Sequence, residues 1–106
     1  MEVEAVRDFA LSLPDSTEEP HFHFTSFRIN GKIFATMPPS NELLHVFVSE
    51  EMRELAVASH PELCEALHWG KRVVGLKVDL ANAEQALIEK LLRDAYENKS
   101  ARAKKK

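Results

Sequence analysis

Two histidines, His21 and His23, stand two residues apart, a spacing that suits a pair of metal ligands. On an extended segment both imidazoles would point to one side, as such ligands do. A metal site needs a third and usually a fourth ligand, and no spacing singles out another histidine, an acid or Cys64 for that role. We therefore expect no metal and no cofactor, with His21 packed against a hairpin and His23 on the surface.

Cys64 and His68 form a second pair with catalytic potential, four residues apart. Residues 62–67 suit either a short helical turn or an irregular strand, and only on a helix would thiol and imidazole share a face as nucleophile and base. No glycine-rich oxyanion loop lies nearby, and cysteine is commonly a small buried apolar residue. Motifs of serine hydrolases, phosphate-binding loops and dinucleotide-binding domains are absent. We expect no catalytic residue and no enzyme.

The formal net charge of −3 is unevenly divided along the chain. Five basic residues and no acid occur from Lys99 onward, whereas residues 1–98 contain 9 basic and 17 acidic residues, a formal −8. A lysine-rich end can contact nucleic acid, but such ends are more often solvated. We predict one domain over residues 1–98 and a disordered basic tail over 99–106. One cysteine and no apolar run of membrane length predict a cytoplasmic protein without membrane contact.

Two regions with strand patterns, residues 20–41 and 66–78, contain positive charges and no acid. Their charged residues are Arg28, Lys32, Lys71, Arg72 and Lys77. The acids are expected on helices and in loops. If both regions belong to one sheet, its uncovered face and turns would present five cations to a phosphate-bearing partner. The alternative is that these cations balance nearby acids and protect strand edges.

Residues 26–35 predict a β-hairpin around Asn30-Gly31. A tight hairpin turn needs positive φ at its central residues, which asparagine tolerates and glycine adopts without steric cost. Arg28 alternates with Phe27 and Ile29 and is predicted to face outward. A two-residue loop pairs Ile29 with Lys32, and a three-residue loop with a bulge pairs Ile29 with Ile33. Both registers remain open.

Helical periodicity predicts a first helix over residues 3–13, ended by Pro14, and a loop then follows through Pro20. Residues 43–48 are apolar on both faces, which predicts a central strand. Ser49 is expected to cap a second helix. The expected buried residues of this helix are Met52, Leu55, Ala56 and Ser59.

Alternation predicts a further strand from about Arg72 to Leu80. Asn82, with Gln85 three residues later, predicts the capped start of a third helix with a strong apolar stripe. The predicted order is α-β-β-β-α-β-α, with one extra short strand allowed. Short connections imply antiparallel pairing, so we predict a two-layer α+β fold, an antiparallel sheet with helices on one face.

Several short blocks resemble the MmcQ/YjbR-like family: Glu18-Glu19-Pro20-His21-Phe22, Ser26-Phe27-Arg28, Gly31-Lys32-Ile33-Phe34-Ala35 and His68-Trp69-Gly70, with Tyr96 near the end of a helix. The resemblance covers nearly the whole domain. Its motif residues are Glu19, Pro20, His21, Phe22, Ser26, Phe27, Gly31, Lys32 and Phe34. Phe47 stands where many relatives have a lysine, and Ala95-Tyr96 where many have Ser-Tyr, and both departures weaken a DNA-binding interpretation.

Members of this family are generally described as predicted DNA-binding proteins with a double-wing motif. Together with the charge pattern, the resemblance leads us to predict a small non-enzymatic domain that binds DNA weakly through the five cations of the strand regions and the tail, with Trp69 able to stack on a base. The alternative is a module that binds a protein or a small ligand and has no DNA affinity. A metal-dependent enzyme that uses His21 and His23 is the third hypothesis.

Overall fold

The computed structural model describes residues 2–38 and 42–104, with side chains as far as Ser100. Three helices and six strands alternate as α-β-β-β-β-α-β-β-α. They are α1 (Val3–Ser12), β1 (Ser16–His21), β2 (Phe24–Ile29), β3 (Lys32–Met37), β4 (Leu43–Val46), α2 (Glu50–Ser59), β5 (Cys64–Trp69), β6 (Arg72–Asp79) and α3 (Gln85–Lys104). None of the helices in the described part of the chain is long and apolar enough to span a membrane.

The six strands form one antiparallel sheet in the order β1-β2-β3-β4-β6-β5. The α+β prediction is confirmed, and β4 lies inside the sheet as expected for a strand with two apolar faces. The predicted hairpin forms with the two-residue loop, because Ile29 pairs with Lys32. Asn30 and Gly31 have φ of 54° and 78°, the left-handed values that this turn requires.

One face of the sheet packs against all three helices. Strand residues such as Phe27, Val46 and Leu76 are fully buried together with helix residues such as Val6 and Leu91. Among the described side chains of α3, Ile88, Leu92 and Ala95 are also buried, in agreement with the predicted apolar stripe of this helix. Because side chains alternate across a strand, the neighbours of these core residues point to the other face, here called the open face.

The segment predicted as a loop between Pro14 and Pro20 is in fact the edge strand β1. Its pairing with β2 runs from Ser16, opposite Ile29, to His21, opposite Phe24. The polar residues and the proline of this segment do not give the usual sequence pattern of a strand. Proline is nevertheless tolerated on an edge strand, where a missing N–H need not interrupt the sheet. β1 is one of the two strands beyond the predicted minimum.

Residues 64–69 form the edge strand β5, so the strand alternative for this region is correct. The register with β6 shifts between Leu67 and His68, which marks a bulge. Cys64 is buried in the core, whereas His68 is exposed. Four residues of strand span about 13 Å, so thiol and imidazole do not form the nucleophile and base that a helix would have allowed.

The helices differ from the prediction in one expected buried residue of α2 and in both ends of α3. Ser49 does cap α2, since its Oγ accepts from Met52 N at 3.2 Å, but Leu55 is 52% exposed rather than buried. Asn82 is not the cap of α3, because the helix begins at Gln85 and both the backbone N–H and the side-chain amide of Asn82 donate to Asp79. α3 continues to Lys104, beyond the predicted domain boundary.

Candidate nucleic-acid interface and open-face groove

The β2–β3 and β5–β6 hairpins turn at the same end of the sheet. β4 runs antiparallel to β3 with Val46 opposite Ala35, and Leu76 of β6 lies opposite Val46 on the other side. β6 begins at Arg72, beyond that level, so its turn emerges beside the turn before Lys32. β4 alone separates the two hairpins, which places their inner strands about 10 Å apart. We call the two turns together the hairpin end.

Three of the five predicted cations lie at the hairpin end. Lys32 is the first residue of β3, and Lys71 and Arg72 close the β5–β6 turn. All three are exposed. Within the residues whose side chains the structure describes, none of the three forms an ion pair with a carboxylate. These cations are therefore available to an external anion.

Arg28 lies on the open face of β2, but its guanidinium is already engaged. Its Nε donates to Ser26 Oγ at 3.1 Å and lies 3.9 Å from Oε1 of Glu19 on the neighbouring strand. A further N–H donates to the Pro20 carbonyl at 3.5 Å. Arg28 faces outward as predicted, yet its charge is partly balanced inside the sheet.

Lys77 lies on the open face of β6, and its Nζ is 2.9 Å from Glu65 Oε2 on β5. The hydrogen bond from Lys77 and its positive charge lower the pKa of Glu65 below the ordinary value of a glutamate. The expectation that acids would lie only on helices and in loops is therefore wrong. Glu19 and Glu65 lie on the edge strands β1 and β5, the two strands whose pattern the sequence concealed.

One polar side chain from each strand forms a row across the open face, which we call the polar row. The paired residues, in spatial order, are Glu19, Ser26, Thr36, His45, Lys77 and Glu65. A carboxylate ends the row on each side. The five predicted cations thus do not form one continuous basic face: three lie at the hairpin end, and two lie on the open face beside carboxylates.

His45 occupies the middle of the polar row and is half-buried. Its ring centroid lies 5.9 Å from that of Phe24, and Lys77 is its cross-strand neighbour. Burial first, and the positive charge of Lys77 second, lower the pKa of His45 below its ordinary value of 6.5. The imidazole is therefore neutral at pH 7 and offers one donor and one acceptor.

A groove of about 770 Å³ lies along the open face, and we call it the open-face groove. His45 and Thr36 belong to its lining, as do Phe24 from β2 and Trp69 from β5. Its charged lining residues are Glu50, Arg53, Arg72 and Lys99. Arg72 therefore belongs both to the hairpin end and to the groove.

Two aromatic contacts belong to the lining of the open-face groove. Phe24 and His45 form one, and Phe47 and Trp69 form the other, with ring centroids 6.3 Å apart in an edge-to-face arrangement. Lys99 Nζ lies 5.7 Å from the centroid of the Phe47 ring. Phe47 also lies against Gly75, where a Cβ would come within 2.7 Å of the Val46 carbonyl oxygen. Only glycine fits at that point of β6.

His21 and His23 are not placed on one side of an extended segment as the sequence suggested. His21 ends β1, while Phe22 and His23 form the turn to β2, and Phe22 has a φ of 59°. His21 is half-buried with its ring 4.8 Å from that of Phe22, and His23 is exposed. In the described ranges, no three histidine, cysteine or acidic side chains are grouped to hold a metal ion.

Sequence reasoning predicted Trp69 and Arg72 as site residues but missed their companions. Trp69 is 65% exposed and pairs with Arg72 across the turn. The groove residues Phe47, Arg53 and Lys99 come from the end of β4 and from two helices. Nothing in the local pattern of the sequence brings these segments together, since the contact depends on the packing of α3 against the sheet.

The comparisons with known proteins agree with this fold. A model of the YjbR family matches residues 11–98, so the chain belongs to the YjbR family. A crystal structure of the Deinococcus radiodurans protein DR2400, described as domain DUF419, is similar over 99% of this chain and 83% of that one. Its TM-score is 0.84 at 21% sequence identity, which shows a shared fold. No curated protein matches this chain.

Proposed function

We propose that this protein binds DNA weakly through the hairpin end. The observation that supports the proposal is the position of Lys32, Lys71 and Arg72, three exposed cations on two adjacent turns with no carboxylate partner among the described side chains. Phosphate oxygens are the anions that such lysine and arginine side chains commonly bind along a nucleic-acid backbone. The two hairpins then correspond to the two wings that the family resemblance implies. A DNA-binding role also implies a cytoplasmic location.

The exposed indole of Trp69 favours a DNA ligand with unpaired bases. The indole is 65% exposed at the end of β5, directly opposite Arg72 in the same hairpin. An exposed aromatic ring beside a cation suits a base that stacks while its phosphate meets the cation, and such stacking is worth about 1–3 kcal/mol per base. A duplex keeps its bases stacked on each other, so we propose that single-stranded DNA is preferred.

The binding is weak because few cations are available. Arg28 and Lys77 stand beside Glu19 and Glu65, and the whole chain carries a formal net charge of −3. With three phosphate contacts on a single strand, log affinity should fall with log salt with a slope of about 2. Measurable binding is therefore expected only at low salt.

The test is a titration of a labelled single-stranded oligonucleotide by fluorescence anisotropy at several salt concentrations. Lys71→Gln and Arg72→Gln should each weaken binding and reduce the salt slope by about 0.7, the contribution of one single-strand phosphate. Lys90→Gln is the matched control, because Lys90 is an exposed residue of α3 in the helical layer. Absence of binding by the full chain at low salt, or equal losses in Lys90→Gln, would overturn the proposal.

A further inference from the structure

We infer that the open-face groove is a binding site for a small planar aromatic molecule that carries one anionic group. This site goes beyond the proposed DNA binding and does not depend on it. The groove measures about 770 Å³, within the range of about 300–1,000 Å³ that small-molecule sites usually occupy. It extends from the open face to α2 and α3, which contribute Glu50, Arg53 and Lys99 to its lining.

The walls of the groove suit a flat ring. Phe24 with His45 and Phe47 with Trp69 form two aromatic contacts from different strands, and all four residues line the groove. Aromatic rings favour offset-stacked and edge-to-face neighbours, so a planar ligand can pack against the rings that line the groove. Trp69 is held toward the groove by its contact with Phe47.

The charges of the groove suit an anion. Three cations, Arg53, Arg72 and Lys99, line it together with one acid, Glu50. Glu50 lies 3.9 Å from Arg53 and balances that cation. Arg72 forms no ion pair among the described side chains, and Lys99 Nζ lies over the Phe47 ring. Arg72 lies opposite Trp69 in the same hairpin, so the anionic group belongs at the Trp69 side of the groove.

His45 and Thr36 add polar groups to the centre of the groove. They are cross-strand neighbours in the polar row, and both line the groove. A neutral imidazole can donate one hydrogen bond and accept another, which suits the edge of a heterocyclic ring. Aromatic surfaces, a few polar groups and an excess of cations together define the ligand class.

The ring of the ligand and its anionic group can be tested separately by NMR titration. The chain contains a single tryptophan, so the one indole N–H signal reports directly on Trp69. The probes are adenosine 5′-monophosphate, with a phosphate, and 2-naphthoate, with a carboxylate. Adenosine supplies a ring without charge, and inorganic phosphate supplies charge without a ring. We expect at least one of the two ring-bearing anions to shift the indole signal saturably, each comparator binding at least tenfold more weakly.

Arg72→Gln and Lys71→Gln provide a matched pair of variants for the stronger probe. The two residues are neighbours in one exposed turn, but only Arg72 lines the groove. Loss of one charged hydrogen-bond donor should weaken binding about tenfold in Arg72→Gln and less than twofold in Lys71→Gln. DNA binding, by contrast, should be weakened in both variants. Failure of the groove site and failure of the proposed function are therefore distinguishable.

Three outcomes would overturn the inference: no saturable shift with either anion, equal binding of a comparator, or equal losses in the two variants. Equal binding of inorganic phosphate would reveal a simple anion site, and equal binding of adenosine would leave the cations without a role. Tighter binding of one ring-bearing anion would support the inference and identify the anionic group as phosphate or carboxylate.

Discussion

His45 is a titratable side chain on the open face, and its pKa depends on the groups around it. It lies between Thr36 and Lys77 in the polar row and in contact with the Phe24 ring. Charging this imidazole would add a positive group beside Lys77, whose own partner is Glu65. Burial and the charge of Lys77 both act against the protonated form of His45. The folded protein therefore favours the neutral ring.

We predict that the titration of His45 makes the stability of the folded protein depend on pH. Its pKa is lowered in the folded state, so the unfolded chain binds the proton more readily, and the free energy of unfolding should fall as the pH drops below about 6.5. His45→Gln should remove that part of the decline. Urea unfolding of both proteins between pH 5 and 7.5 measures it. A difference between them that does not change with pH would contradict the prediction.

Cys64 is a second titratable residue with a shifted pKa, and it lies in the core. Burial, and then the charge of Glu62, raise the pKa of this thiol, so the reactive thiolate is disfavoured in the folded protein. Its side chain is almost wholly buried and faces the helices. The pairing of Cys64 with His68 that the sequence allowed depended on a helix. In the observed strand Cys64 is a core residue.

The strands show which elements a sequence can reveal. The β2–β3 hairpin was predictable because Asn30-Gly31 meets a stringent backbone requirement and because apolar residues alternate beside it. β1 and β5 were harder to predict, since an edge strand pairs with a neighbouring strand on one side only and tolerates Pro20, Glu19 and Glu65. The missed acids explain why the predicted basic face is interrupted.

The groove could be predicted only in part, for a related reason. Trp69 and Arg72 stand out by residue type and neighbourhood, and both proved to line the groove. Phe47 meets the end of α3 through contacts between distant segments, including the hydrogen bond from the Asn98 amide to the Phe47 carbonyl at 3.0 Å across 51 positions. Side-chain packing sets this contact, and no local pattern encodes it.

The junction between β4 and α2 is held by a contact from α3 that can be tested. Asp94 accepts a hydrogen bond from the Ser49 backbone N–H at 2.9 Å and lies 3.3 Å from its Oγ, while that Oγ caps α2. Asp94→Ala would leave a partly buried N–H without its charged acceptor and should lower the free energy of unfolding by about 2 kcal/mol. Denaturant unfolding provides the measurement.

Glu97→Ala is the control for Asp94→Ala. Glu97 is an exposed carboxylate on the same helix, and removing it should change stability by less than about 0.5 kcal/mol. Ser49→Ala should cost about 1 kcal/mol for the lost cap, and the double variant should lose less than the sum because the two residues share one network. Full additivity would show that Asp94 and Ser49 act independently.

In the whole molecule, positive charge is concentrated at one end of the sheet and does not cover one of its two faces. Acids lie on the helices and at both ends of the polar row, whereas Lys32, Lys71 and Arg72 at the hairpin end form no ion pair among the described side chains. A phosphate backbone would meet attraction at the two turns and repulsion elsewhere. Such a layout supports a localised and weak contact. The basic residues after Ser100 could add phosphate contacts to those made by the hairpin end.

The last prediction separates the hairpin end from the basic end of the chain. Lys99 lies over Phe47 and belongs to the groove, so a truncation after Ser100 removes only the four later cations Arg102, Lys104, Lys105 and Lys106. If the hairpin end binds DNA, the truncated chain should retain binding, with a salt slope of about 2 for its three phosphate contacts. The full chain should have a steeper slope if the later cations also meet phosphates. Anisotropy titrations of both chains supply the two slopes.

A second variant separates the loss of charge from the loss of chain. The full-length protein with glutamine at those four positions should match the truncated chain in both affinity and slope. Lys32→Gln introduced into either of them should reduce the remaining slope by about 0.7, since one more phosphate contact is lost. If removal of the four late cations instead abolishes binding at low salt, the hairpin end does not hold DNA. The folded domain would then be better explained by its groove.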